Sequence, residues 1–273
     1  MFMFLLAALL PACVLFWYVY TRDITPEPKN VVMKGFLYGV IATFASTLIS
    51  GPLMALGLYT NEPATFWGSV MTAFFGAAIP EETAKLFMLW LLLRKCKDFD
   101  ERYDGIVYAT AVGLGFASFE NIMYLASSGF GFFQVAISRA FLAVPGHFAF
   151  AVVMGYYYSI RHFSWKPGEK KAAGVKMWLY PVLLHGVYDT ICFVSGISEN
   201  GSLLLTFVLL FFCFRLFKYT RNKIISEAAD NAAGSGFYST HRDFYESPRH
   251  ANNYGNDFRY YYYEGDDNSP EEQ

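Results

Sequence analysis

Seven stretches of this chain, at about 2–20, 35–59, 65–93, 105–127, 132–160, 177–196 and 202–217, are apolar over lengths that water does not accommodate. A bilayer's hydrocarbon core of ~30 Å takes about 20 helical residues at ~1.5 Å rise each, and the stretches match that requirement. Composition agrees: the 273 residues are 55% hydrophobic and 19% aromatic with 16% charged, too apolar for an ordinary soluble domain. The expected fold is an all-α, polytopic transmembrane helix bundle of about seven spans over residues 1–217. The third and fifth stretches run long, which predicts tilt or a break near Pro80 and Pro145, because proline removes a ladder hydrogen bond inside a helix. The first stretch lacks a basic start and a small-residue cleavage site, so it reads as a retained helix. Cys13, Cys96, Cys192 and Cys213 lie far apart with no CxxC spacing, which suggests neither a disulfide framework nor a cysteine metal site.

Loop charges alternate along the chain. Arg22, Lys29 and Lys34 follow the first span, Arg94, Lys95, Lys97 and Arg102 the third, Arg161 through Lys176 the fifth, and Lys218, Arg221 and Lys223 the seventh. The intervening loops around Asn61, Ser128 and Asn200 hold no Lys or Arg. The positive-inside rule then places the amino terminus outside and the carboxyl terminus in the cytoplasm. Residues 218–273 are rich in Asn, Gly, Ser, Asp and Glu and carry Tyr260 to Tyr263, which reads as a disordered cytoplasmic tail, either a solvated extension or a docking segment.

Ionisable groups inside hydrocarbon cost roughly 2.5–3.5 kcal/mol each on insertion scales, so those present call for a partner or a function. The third span holds Glu81, Glu82 and Lys85, the fourth Glu120 and Asn121, the fifth Arg139 and His147, and the sixth His185 and Asp189. Glu82 lies 12 residues before Arg94, Glu120 16 after Asp104, His147 14 before Arg161 and His185 9 after Lys176. At ~1.5 Å per residue these are depths of about 18, 24, 21 and 14 Å, so four helices place polar groups in one band. Gly113, Phe116, Ala117, Glu120 and Asn121 share one helix face, as do His185 and Asp189, and Glu81 and Lys85. Glu82 sits ~100° around the helix from Glu81, so one glutamate can face a cavity while the other is held by Lys85 or a neighbouring helix. Arg139 and Asn121 have a plain structural reading as packing partners.

Buried carboxylates with histidines suit hydrolysis: a carboxylate or a metal activates water, and a histidine positions it or stabilises an oxyanion. Asp189, one turn from His185, can fix its tautomer. No Ser lies in a Gly-x-Ser-x-Gly elbow, which disfavours serine catalysis. The sharp reading is peptide hydrolysis within the bilayer. The competing one is a proton- or cation-coupled transporter, since membrane Glu, His and Asp chains also relay protons; against it, the two halves show no evident internal repeat.

With these residues in place, the sequence resembles the PrsW family of intramembrane proteases, within the group that includes the CAAX-prenyl endopeptidases, over roughly residues 35–196. Pro80-Glu81-Glu82-Thr83-Ala84-Lys85 looks like the family's paired-glutamate motif, and Gly113 to Asn121 resembles its Gly-Phe-Glu-Asn motif. His147 matches the mid-chain histidine, and His185 to Asp189 looks like the final His-x-x-x-Asp motif. The resemblance implies that Glu81, Glu82, Glu120, His147 and His185 are catalytic, with Lys85, Asn121 and Asp189 in support. A metal, if used, would be zinc on Glu82, His147 and His185; HExxH is absent, and metal-dependent and glutamate-type mechanisms both stay open. The implied partners are the lipid bilayer and a membrane-anchored protein substrate, of which an anti-sigma factor is the family's example, with no nucleic acid. The implied location is the inner (cytoplasmic) membrane.

Overall fold

The computed structural model describes residues 2–198 and 201–245, with side chains over 3–198 and 201–232. Among the described residues the regular elements are all helices, in order α1 (Phe2–Tyr20), α2 (Lys29–Ala55), α3 (Phe66–Met71), α4 (Ile79–Leu93), α5 (Asp104–Ser127), α6 (Phe132–Ser138), α7 (Val144–Phe163), α8 (Pro167–Ile197) and α9 (Ser202–Tyr245). Among the described residues six helical segments are long and apolar enough to cross a membrane: Met3–Tyr20, Lys29–Ala55, Asp104–Ser127, Gly129–Phe163, Pro167–Ile197 and Ser202–Ala232. The expected third span differs. It is helical from Phe66 to Leu93 but passes through α3, a π-helical segment Thr72–Ala78 and α4, so no single α-helix there has the required length.

That π segment ends immediately before α4, whose first turn holds Pro80. A second π segment, Arg139–Ala143, ends immediately before α7, whose first turn holds Pro145. Proline has no N–H to offer and its ring crowds the carbonyl four residues earlier, so a locally widened turn before it relieves both problems. The predicted breaks are therefore present as wide turns, with the chain remaining helical on both sides.

The bundle is organised around α5, whose residues from Asp104 to Ala117 are all buried. Helices α2 and α7 pack on it, and glycines let the backbones meet. A Cβ added at Gly39 of α2 would overlap the carbonyl oxygen of Val112, and one at Gly115 of α5 would overlap that of Phe36. On the other side a Cβ at Gly155 of α7 would strike the carbonyl of Gly105. Outward-facing Leu37, Phe44, Leu48, Leu203 and Phe207 are exposed, as suits a surface solvated by lipid.

The chain divides into two compact units, Met1–Asn231 and Ala232–Gln273. Here the structure departs from the tail boundary expected at 218. Thr220, Ile224 and Glu227, spaced along one helix face, are buried within the first unit, and Glu227 receives Arg102 Nη2 at 3.2 Å. Polar composition suggested a tail there, but the i, i+4, i+7 spacing turns these residues to one side. In the second unit the described residues, to Tyr245, are helical, and Tyr260 to Tyr263 lie outside the described residues.

We expect Gly39→Ala and Gly115→Ala each to destabilise the protein by about 1–3 kcal/mol through overpacking, in thermal unfolding of the detergent-solubilised chain. Gly51→Ala in the same helix meets nothing within 4 Å and is expected to leave the transition unchanged or raise it.

Candidate active site

The two wide turns deliver the site's residues. Glu81 and Glu82 lie in the first turn of α4, and His147 in the first turn of α7. Glu120 and Asn121 come from α5, and His185 and Asp189 from α8. The structure thus brings together the residues singled out in the sequence, from four helices and, for Arg139, from the wide turn before α7. Ligand atoms of Glu81, Glu82, His147 and His185 all lie within 4.8 Å of one another.

Lys85 sits among them. Its Nζ donates to Glu82 Oε1 at 2.7 Å, to His147 Nδ1 at 3.0 Å and to Glu81 Oε2 at 3.4 Å, and lies 4.0 Å from the centre of the Phe116 ring. An ammonium has three N–H groups and no acceptor, so three acceptors saturate it. Because Lys85 donates to His147 Nδ1, the imidazole proton lies on Nε2, which donates to Glu120 Oε2 at 2.8 Å. Glu120 Oε2 also accepts from Arg139 Nη2 at 2.7 Å, while Arg139 Nε donates to Asn121 Oδ1 at 2.8 Å. Asn121 Nδ2 in turn donates to the Ala8 carbonyl of α1 at 2.9 Å. Arg139 therefore does more than fill space between helices. It holds Glu120 and Asn121 with two different nitrogens, a role its isolated position in the sequence did not reveal.

The two glutamates have separate environments, as the ~100° offset suggested. Glu82 is fully buried, accepts from Lys85 and lies 2.8 Å from His185 Nδ1, while its Oε2 has no partner. Glu81 is looser: Lys85 is 3.4 Å away and His185 Nε2 4.0 Å. It lines a cavity of about 360 Å³ together with Glu120, Arg139, His147, His185 and Asp189. His185 faces Glu82 with Nδ1 and Asp189 Oδ2 with Nε2, the latter at 3.2 Å, and its ring stacks on Phe150 with centres 4.9 Å apart. Two carboxylates, one on each nitrogen, are both satisfied when both nitrogens carry protons. Two signals escaped the sequence reading, the lysine's reach to His147 across 62 positions and the apolar walls supplied by Phe116 and Phe150.

Two imidazoles and two carboxylates at this spacing are a donor set of the kind zinc takes, and the unpartnered Glu82 Oε2 is one donor with no competing contact. The residues fit such an ion in kind and separation, provided that the Lys85 ammonium between them withdraws and one nitrogen of each histidine gives up its present partner.

The model of a family described as "PrsW family intramembrane metalloprotease" matches residues 27–216. The chain belongs to this family. It is 37% identical over 190 residues to Protease PrsW of Geobacillus kaustophilus, an alignment covering 69% of this chain and 79% of that relative. It is 32% identical over 227 residues to Protease PrsW of Bacillus subtilis, covering 83% of this chain and 98% of the relative. No solved structure matches the chain. The PrsW match is wider than the 35–196 estimated from motifs and takes in the seventh apolar stretch. The chain is thus an intramembrane protease and a multi-pass membrane protein, and membership disfavours the transporter reading.

Removing one member of a buried ion pair strands the other, at about 3–5 kcal/mol. Arg139→Leu is expected to lower unfolding stability toward that range, discounted because the Arg139 side chain is 11% exposed and that of Glu120 16%. Arg139→Lys, which can replace the charge but not both hydrogen bonds, should recover part of the loss in the same unfolding assay.

Proposed function

We propose that this PrsW-family protease hydrolyses a peptide bond of a membrane-anchored protein, with Glu81 as the general base on water. The observation that carries the assignment is the contrast between the carboxylates. Glu82 and Glu120 are each gripped by partners at 2.7 and 2.8 Å, whereas Glu81 opens on the cavity with its nearest cation 3.4 Å away. A base must be able to take a proton, and a carboxylate not already saturated by short hydrogen bonds is suited to that.

The other residues have distinct work in this reading. Glu82 and Asp189 orient His185, which stabilises the oxyanion formed as water adds to the carbonyl. His147, held between Lys85 and Glu120, carries the Nε2 proton and sets the position of Glu120. Lys85 and Asn121 are positioning residues. The Phe116 and Phe150 rings exclude water from this part of the cluster, which strengthens its electrostatics. Zinc, when bound, would be held by Glu82, His147 and His185 and would supply Lewis-acid polarisation of the carbonyl and a more acidic water.

The substrate proposed is an anti-sigma factor anchored by a single span, cut in the inner membrane. The alternation of basic loops supports an amino terminus outside and a carboxyl terminus in the cytoplasm.

The test is metal content and peptidase activity on one detergent-purified sample, wild type beside Glu81→Gln, Glu82→Gln and His185→Ala. Glu81→Gln keeps shape and removes the base, so turnover of a membrane-anchored reporter should fall by roughly 100-fold or more. Stoichiometric zinc lost together with activity in His185→Ala identifies metal assistance. Activity that survives chelation and vanishes in Glu81→Gln identifies water activated by carboxylate alone. Unchanged turnover in Glu81→Gln removes that residue from the mechanism.

A further inference from the structure

A second group of buried carboxylates lies away from the active site. Asp23 and Glu27 come from the connection between α1 and α2, and Asp104 from the first turn of α5. Their relative exposures are 6%, 4% and 0%, and one oxygen of each lies within 4.8 Å of the others. Asp104 and Glu120 are 16 positions apart on one helix, so this group is about 24 Å from the active-site glutamate at ~1.5 Å per residue.

Its hydrogen bonds are only partly complete. Asp23 Oδ1 accepts from the Thr25 N–H at 3.2 Å. Asp104 Oδ2 accepts from the N–H groups of Asp100 and Glu101 at 2.9 and 2.7 Å. Glu27 Oε2 accepts a short hydrogen bond from the Tyr108 hydroxyl. The other oxygens of the two aspartates, Asp23 Oδ2 and Asp104 Oδ1, are buried with no partner. The two oxygens of a carboxylate share one carbon, so these atoms lie at the cluster as well. Among the described residues no Lys, Arg or His forms an ion pair with any of the three. Arg22, adjacent to Asp23, is turned away onto the Tyr18 ring and carbonyl.

Three carboxylates out of water and without a cation repel one another, and burial pushes Asp23 up to about 6 and Glu27 up to about 9. Something positive resolves this, either protons or a metal ion. Glu27 and Asp104 are within hydrogen-bond reach of each other, so one proton can serve that pair, but it leaves Asp23 Oδ2 without a partner, whereas one ion serves all three carboxylates together. The donors are all oxygen, which suits hard cations and not zinc. Calcium accepts irregular sets of protein oxygens, whereas magnesium dehydrates reluctantly and keeps several of its waters, which suits a buried cluster less.

We propose that Asp23, Glu27 and Asp104 form a site for a hard divalent cation, with calcium preferred over magnesium, which fastens the α1–α2 connection to the start of α5. Occupancy ties together the ends of three helices that share a core: Tyr103, just before α5, donates to the Val19 carbonyl of α1 at 3.0 Å, and Tyr20 donates to the Glu27 carbonyl at 2.9 Å.

The experiment is equilibrium dialysis of the full chain in detergent, stripped with chelator and then exposed to calcium or magnesium separately, with thermal unfolding at each concentration. Wild type should take up one calcium per chain at this site and unfold at a higher temperature with calcium present, following mass action. Asp23→Asn keeps the acceptor for Thr25 and Glu27→Gln keeps one for Tyr108, so both are expected to fold; each should weaken calcium uptake at least 10-fold and abolish the thermal shift. Glu82→Gln, in the other cluster, should retain both. No uptake of either cation by wild type, or uptake unchanged in both Asp23→Asn and Glu27→Gln, overturns the proposal and leaves protons as the compensating charge.

Discussion

Charge inside a bilayer has to be answered by other charge or by hydrogen bonds from the protein, since no water is at hand to do it. Lys85 is where this constraint is met in the PrsW-family bundle. Its ammonium reaches Glu81, Glu82 and His147 at once, and so links α4 to α7 at the depth where solvation is poorest. The arrangement beyond it follows in sequence: His147 turns its other nitrogen to Glu120, Glu120 is held by Arg139, and Arg139 engages Asn121, which reaches α1. Each buried group is spoken for by the next, and the cluster extends across helices that are far apart in the chain. Glu81 stands at the edge of this chain of contacts, facing the cavity.

The backbone makes room for the cluster through two different devices. Glycines on α2, α5 and α7 bring three helices to backbone contact and make α5 a rigid central post. The π segments before Pro80 and Pro145 do the opposite, opening the helix locally so that the residues just after each proline project together. Wide turns of this kind often accompany functional sites because an uneven pitch re-aims side chains that a regular helix would point elsewhere. Tight packing on one side and widened turns on the other leave the site both fixed and accessible.

Much of this was readable in the amino-acid sequence, for identifiable reasons. Apolar runs set the spans, because lipid imposes length. Counting residues from the basic loops placed Glu82, Glu120, His147 and His185 at one level, and the angular offset of adjacent residues separated Glu81 from Glu82. Pair partners over long distances were not readable. Lys85 had obvious local glutamates, so nothing pointed to His147; Arg139 had no charged neighbour in sequence, so it read as packing. Nothing in the sequence joined Asp23 and Glu27 to Asp104, since 77 positions separate Glu27 from Asp104. The helical course through residues 218–232 was masked by polar composition, although Thr220, Ile224 and Glu227 carry the spacing of a buried face.

The wide turns also bear on how such a chain can vary in length. A helix that loses one residue rotates everything on one side of the loss by ~100° relative to the other and shortens by ~1.5 Å. Within Thr72–Ala78 or Arg139–Ala143, where the pitch is already loose, a deletion would regularise the turn and swing α3 or α6 away from its neighbours while α4 and α7 stayed seated. The register between the two parts of each of these helical segments is thus set by how many residues its wide turn contains. Chain length at these two places is as much a part of the site as the glutamates and the histidine that follow them.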